Sequence, residues 1–236
     1  MGYMKLGVDK KTKAVTLNEG KLIPVNADRI DSDERISELL NGARTEHQYL
    51  TKVIGSNRKT GYRKYYGESN LGNFLADILK EEGEAEIGMM NPGAIRADLD
   101  VGDITVEEMV NIYPFIDGFS VVEISGVQLK ELINYSLELT YGLVQFSRLT
   151  MEYDFAKPNG QRCLSVKVNG NNIKDEMRYT VACSNYVANG GDGFSMLKEG
   201  KKVSASEKNI IDYILEYIEA KKIISLPEVG RMVEKK

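Results

Sequence analysis

Ile87-Gly88-Met89-Met90-Asn91-Pro92-Gly93-Ala94-Ile95-Arg96 reads as a short buried strand that runs directly into a fixed turn. A brief apolar run bounded by turn residues fits a strand covered on both faces. The stretch before it, Asn70 to Lys80, carries Leu71, Phe74, Leu75, Ile78 and Leu79 at helical spacing. After it, Thr105 with Glu108 forms a capping box for a helix through Val110. Tyr113-Pro114-Phe115 ends that helix, because proline disfavours helical backbone just before itself. Phe119 to Ile124 reads as a strand. Ser125 with Gln128 caps the next helix, whose core face is Leu129, Leu132, Ile133 and Leu137.

Further out, Leu149 to Phe155 is strand-like. Arg162 to Val168 and Arg178 to Ala182 read as strands joined through Asn169-Gly170, a strong turn dipeptide. Ser206 is expected to cap a long helix with Ile210, Ile211, Ile214, Leu215 and Ile218 inside. Towards the start, Thr51 to Gly55 reads as a strand, and the main domain begins near Leu50. A polar helix precedes it, with Asp31 and Ser32 as cap candidates, a narrow Ile36, Leu39, Leu40 stripe, and Asn41-Gly42 as its weak point. Such a helix suits a bridge between domains. Earlier still, Ala14 to Leu17 and Lys21 to Val25 read as hairpin strands about a turn at Asn18-Glu19-Gly20. Helices and strands alternate irregularly and include hairpins, so the class is α+β, not a regular βαβ chain.

The 236 residues can bury a core without staples. The 31 basic and 35 acidic residues give a net charge of −4, which argues against a general nucleic-acid binder. His47 is the one histidine, so a metal centre built from several imidazoles is excluded. It follows the polar helix and reads as a linker histidine, not a catalytic one. Cys163 and Cys183 stand outside any zinc spacing and read either as a disulfide or, the safer reading, as two buried thiols. The start has no apolar run of a secretory signal, and no stretch approaches the ~20 residues of a membrane helix, so a soluble chain is expected.

Three loops could carry chemistry. Asn91 to Arg96 presents Asn91 and Arg96 at a strand end, and arginine's rigid fork suits anions. Taken alone, an ordinary turn with a surface arginine is the simpler reading. Tyr113 to Gly118 can aim Phe115 outward as a stacking platform, though a core position is the commoner fate of phenylalanine. Asn185 to Phe194 packs three glycines around Asp192. The carboxylate can accept from two ribose hydroxyls, or the segment is a glycine-rich turn whose aspartate bonds its own backbone.

Taken together, Glu68-Ser69-Asn70-Leu71-Gly72-Asn73-Phe74-Leu75-Ala76-Asp77, Asn91-Pro92-Gly93-Ala94-Ile95-Arg96, Tyr113-Pro114-Phe115 and Asn189-Gly190-Gly191-Asp192-Gly193-Phe194 resemble the C-terminal domain of the 5′-nucleotidase / UDP-sugar hydrolase family. The resemblance spans about Leu50 to Ile224. It implies a layered α/β/β/α domain at 49–236, preceded by a linker helix at 31–48 and, at 1–30, a short β tail left from the end of a metallophosphatase domain. Members have an N-terminal calcineurin-like domain that holds two divalent metals, zinc or manganese, and performs hydrolysis. Its Asp-x-His, Gly-Asn-His and Gly-His-x-His motifs are nowhere in this sequence. No cofactor is therefore expected in this chain, which reads as the non-catalytic, substrate-binding half.

Residue by residue, Phe115 and Tyr186 resemble the two aromatics that sandwich the base, with Tyr186 where many members have phenylalanine. Asp192 resembles the carboxylate that holds the ribose, and Arg96 the arginine reaching toward ribose and phosphate. Asn91, with Gly93 in the same loop, resembles a polar contact to the base. Arg63 lies where members often place a further arginine. The ligand implied is a nucleoside, nucleotide or UDP-sugar; the partner implied is a metallophosphatase domain or chain, and a homodimer is compatible with it. A periplasmic, cell-surface or secreted setting follows from the same resemblance. A stand-alone binding module, or the same half of a UDP-sugar, 2′,3′-cyclic-nucleotide or thiosulfate hydrolase, remain the alternatives.

Overall fold

Asp9 decides where the chain first reverses. In the computed structural model, which describes residues 1–26 and 29–235, Asp9 Oδ1 accepts from Lys11 N at 2.9 Å, Thr12 N at 2.7 Å and Thr12 Oγ1 at 2.9 Å. Those bonds hold the Asp9 carboxyl below its usual range, the Thr12 amide first. The turn joins β1 (Gly2–Val8) to β2 (Val15–Leu22) in an antiparallel pair. The expected turn at Asn18-Glu19-Gly20 is instead extended backbone inside β2, with Asn18 paired to Leu6 and Gly20 to Met4. A side chain bonding its own turn outweighs a dipeptide that merely tolerates one. Residues 27 and 28, inside the expected N-terminal segment, and residue 236 lie outside the described residues.

Helix α1 (Glu34–Glu46) belongs with this hairpin to a first compact unit, Met1–Gln48. Its cap is Asp33, which accepts from Ile36 N at 3.1 Å, and not Asp31 or Ser32. The helix continues through Asn41-Gly42. Its apolar stripe stays open: Ile36, Leu39 and Leu40 are 53%, 64% and 54% exposed.

The second unit, Tyr49–Lys236, contains β3 (Val53–Asn57), α2 (Asn70–Glu82), β4 (Ile87–Met90), β5 (Gly102–Thr105), α3 (Val106–Ile112), β6 (Phe119–Ser125) and α4 (Gly126–Ser136). There follow β7 (Gln145–Ser147), β8 (Leu149–Tyr153), β9 (Cys163–Val168), β10 (Asn171–Asn172), β11 (Arg178–Ser184), and the single turns α5 (Asn185–Ala188) and α6 (Ser195–Lys198). The chain closes with β12 (Lys201–Ala205), α7 (Ile210–Lys221), β13 (Ile223–Ile224) and β14 (Met232–Glu234).

A five-stranded sheet in the order β12-β6-β11-β4-β7 forms the centre, with β11 and β4 parallel and the other pairs antiparallel. Both faces of β4 are covered, which is why it is apolar without alternation, whereas the edge strand β12 is exposed along its length. Met90, Val121 and Ala182 join a core with Leu71, Leu75 and Ile78 of α2 and Ile214 and Ile218 of α7. Ile87, Met89, Val122, Ile124 and Val181 join a second core with Leu129, Leu132 and Ile133 of α4 and Leu149 and Met151 of β8. Gly88 lets α2 lie close on the sheet, since a Cβ there would meet Ala76 O at 1.9 Å. The mixed α+β architecture expected from the sequence is the one observed.

Two smaller sheets flank this centre, β10-β9-β8-β14 and β13-β3-β5. They correct the expected β9–β11 pairing. The Asn169-Gly170 turn joins β9 to the two-residue β10, while β11 leaves to pair with β6 and β4. The last long helix starts one turn later than expected, with Asn209 as its first flanking residue. Ser206 bonds Lys208 N at 3.1 Å instead. Both capping boxes, Thr105 with Glu108 and Ser125 with Gln128, are formed. Cys163 and Cys183 are free thiols in different sheets.

Candidate functional site

Three loops at the ends of central strands converge on one cavity of about 660 Å³. The first leaves β4. Pro92 to Ala94 form one tight turn, closed by Ala94 N donating to Asn91 O at 3.1 Å, and Arg96 is tied to the end of α3 by its amide on Ile112 O at 2.8 Å. The second runs from Tyr113 to Gly118. Tyr113 is buried and its ring meets Phe115 edge-on, centroids 5.5 Å apart at 72°. The Arg96 guanidinium lies 5.5 Å from the Phe115 centroid, a cation–π distance.

The third loop follows β11. Gly190, Asp192 and Gly193 all adopt positive φ, at 89°, 55° and 86°. Gly193 is required there, because a Cβ would sit 2.0 Å from the Tyr135 hydroxyl. That hydroxyl donates to Asp192 O at 2.8 Å and holds the turn. The left-handed backbone turns the Asp192 carboxylate toward the first loop. Asn91 Nδ2 donates to its Oδ2 at 3.0 Å, and Tyr186 Oη donates to its Oδ1 at 2.9 Å. A carboxylate offers about four acceptor positions, so two bonds leave room for ligand hydroxyls. The second and third loops are stitched directly, Asn185 N to Gly118 O at 2.8 Å and Tyr186 N to Asp117 Oδ2 at 3.0 Å.

The cavity wall thus brings together Phe115, Tyr186, Asp192, Arg96, Asn91 and Gly93. Phe115 is half-buried and Tyr186 is 55% exposed, so neither ring is lost to the core. Gly93 has open space where a side chain would start, its nearest neighbour being Asn91 Nδ2 at 3.9 Å. Arg63 stands outside this wall. It stacks on Tyr65 at 5.3 Å and donates to the Tyr65 hydroxyl at 3.2 Å, and it is Tyr65 that lines the cavity.

Sequence reasoning missed Tyr65, Asp117 and Tyr141 as wall residues. Asp117 lay in a quoted loop and was readable as a polar residue two past the stacking candidate. Tyr141 sits in a segment with no motif. Its phenol is pushed above the ordinary tyrosine range, by desolvation first and then by the Asp192 charge. The Tyr186 phenol is also raised, chiefly by its hydrogen bond to Asp192. Among the described residues, no three His, Cys, Asp or Glu side chains gather as a metal site, and no helix is long and apolar enough to cross a membrane.

A mixed domain with this cavity at its strand ends places the protein in one class: the chain belongs to the family described as 5′-nucleotidase, C-terminal domain, whose model matches residues 45–199. A trifunctional nucleotide phosphoesterase protein of Bacillus subtilis is 36% identical over 183 residues, which cover 71% of this chain and 12% of that protein. A snake venom 5′-nucleotidase of Crotalus adamanteus is 27% identical over 265 residues, covering 99% of this chain and 45% of that one. The crystal structure of a 5′-nucleotidase precursor from Thermus thermophilus superposes with a TM-score of 0.85 at 27% identity, over 99% of this chain and 49% of that one. The chain spans less than half the length of each of these relatives.

Proposed function

We propose that this domain binds the nucleoside part of a nucleotide and positions its phosphate for hydrolysis by a phosphoesterase domain. One observation carries the reading: residues as far apart as Asn91 and Asp192, 101 positions, meet across a cavity that also holds two accessible aromatic rings. The base lies between Phe115 and Tyr186, the ribose hydroxyls bond Asp192, and Arg96 reaches toward ribose and phosphate. Asn91 orients the Asp192 carboxylate and contacts the ligand beside Gly93. Binding energy spent on base and ribose, remote from the scissile bond, aligns the phosphate.

The hydrolytic chemistry is assigned to the N-terminal domain implied by the resemblance, where two divalent cations, zinc or manganese, would polarise a phosphate and supply hydroxide. Among the described residues, no cluster of His, Cys, Asp or Glu fits them. On this reading the hairpin at 1–30 is the tail of that domain and 31–48 the linker. The test is calorimetric titration of the purified chain with adenosine, AMP and UDP-glucose, alongside a phosphate-release assay with added metal. Binding of adenosine and AMP without phosphate release is expected. Absence of nucleoside binding defeats the binding claim, and release of phosphate defeats the division of labour.

A further inference from the structure

Stacking reads the face of a base and leaves its edge unread. One side chain on the wall is equipped for the edge. Asp117 lies two residues past Phe115, is half-buried and lines the cavity. Its Oδ2 is committed to the Tyr186 amide at 3.0 Å, and its backbone carbonyl to Ile210 N at 2.8 Å. Its Oδ1 accepts no hydrogen bond from any described residue. The carboxylate is therefore held in place between the loops that carry the two rings, with one acceptor left over.

Asn91 donates to Asp192, and Ser184 Oγ accepts from Val187 N. Ile116 beside Asp117 offers only apolar surface. Granting the stacking reading, on which this rests, we propose that Asp117 is a specificity-determining residue: its Oδ1 accepts a hydrogen bond from the exocyclic amino group of the stacked base. An ionised carboxylate accepts and cannot donate. A base that presents a carbonyl at that edge loses the bond and also sets oxygen against oxygen, so it is disfavoured twice. Bases with an amino group there, as in adenine and cytosine, are selected over hypoxanthine and uracil.

Calorimetric titration of the wild-type chain with adenosine and inosine, and with cytidine and uridine, tests this without any variant. The amino member of each pair is expected to bind roughly tenfold tighter, the scale of one hydrogen bond to a charged group. Asp117→Asn then provides an inversion. The amide oxygen keeps the Tyr186 amide while its NH₂ faces the cavity, so inosine and uridine gain on adenosine and cytidine. Measurable but equal binding of adenosine and inosine to the wild type overturns the Asp117 role and leaves the stacking reading standing. An unchanged adenosine preference in Asp117→Asn overturns it equally. Failure of all four nucleosides to bind overturns both.

Discussion

The Tyr186 hydroxyl is joined to Asp192 twice: Oη donates to the carboxylate Oδ1 at 2.9 Å and accepts from the Asp192 backbone amide at 3.2 Å. The ring proposed to stack the base is thereby coupled to the group proposed to hold the ribose. The coupling separates two roles of Tyr186. Tyr186→Phe keeps the stacking face and removes both hydroxyl bonds in an exposed setting where water replaces them, a net loss of roughly 0.5–1.5 kcal/mol, partly offset by a freed Oδ1. Tyr186→Ala removes the face itself, worth roughly 1–3 kcal/mol. Adenosine affinity by calorimetry should change by less than about fivefold in the first and fall by about tenfold or more in the second. Equal losses in both would mean that the hydroxyl, not the ring, carries the contact.

Gly93 and Gly193 make a matched pair. Gly93 has ordinary negative φ and open space, so Gly93→Ala should fold and melt as the wild type does, or slightly higher by about 0.4–1 kcal/mol. The added methyl occupies the cavity wall and should weaken nucleotide binding. Gly193→Ala meets the Tyr135 hydroxyl at 2.0 Å and a φ of 86°, so it should lower the melting temperature by a loss of roughly 1–3 kcal/mol. Differential scanning calorimetry and titration of both variants separate the two. An unstable Gly93→Ala would show that Gly93 serves the fold.

What the sequence disclosed follows the range of the interaction that fixes each feature. The capping boxes at Thr105 and Ser125 close within three residues, so they were readable. So was β4, because burial on both faces writes a continuous apolar run. The hairpin turn was misplaced because Asp9 signals through hydrogen bonds, whereas Asn18-Glu19-Gly20 signals through composition that an extended strand also tolerates. The β9–β11 pairing failed because adjacency in sequence does not reveal that β11 fills the middle of another sheet. Six site residues were legible only as a set of motifs in order. The Asp117–Tyr186 stitch, across 69 positions, left no local trace.

The stretch beginning at Glu68 has a structural office that its motif does not announce. Glu68 is buried and accepts from Gly230 N at 2.6 Å, Arg231 N and Met232 N at 3.0 Å, and Asn73 Nδ2 at 2.6 Å. Arg231 in turn forks onto Asp77, at 2.8 and 2.7 Å. The two acids pin β14 beside β8. Glu68→Gln turns one acceptor into a donor that faces backbone N–H groups, leaving buried groups unpaired at roughly 1–3 kcal/mol or more. The urea midpoint should fall accordingly, and amide exchange at 230–234 should quicken before the rest of the sheet. A variant as stable as the wild type would show that β14 is held by packing alone.

Cys183 gives a pH test of the core. It lies wholly buried in β11, and desolvation, ahead of the Asp117 charge, pushes its thiol from 9.0 up to about 12. In the unfolded chain the thiol ionises near its ordinary value, while in the folded chain it stays protonated. The contribution is therefore fully present below about pH 9 and is lost as pH rises through the window from 9 to about 12. Denaturant unfolding at pH 8 and pH 10.5 should show a drop for the wild type that is smaller in Cys183→Ala, since tyrosine titration is common to both chains. Iodoacetamide at pH 8 should label Cys183 only after unfolding, because the thiolate is the reactive form. A Cys183 that alkylates in the folded protein at that pH would contradict its placement at the centre of the sheet.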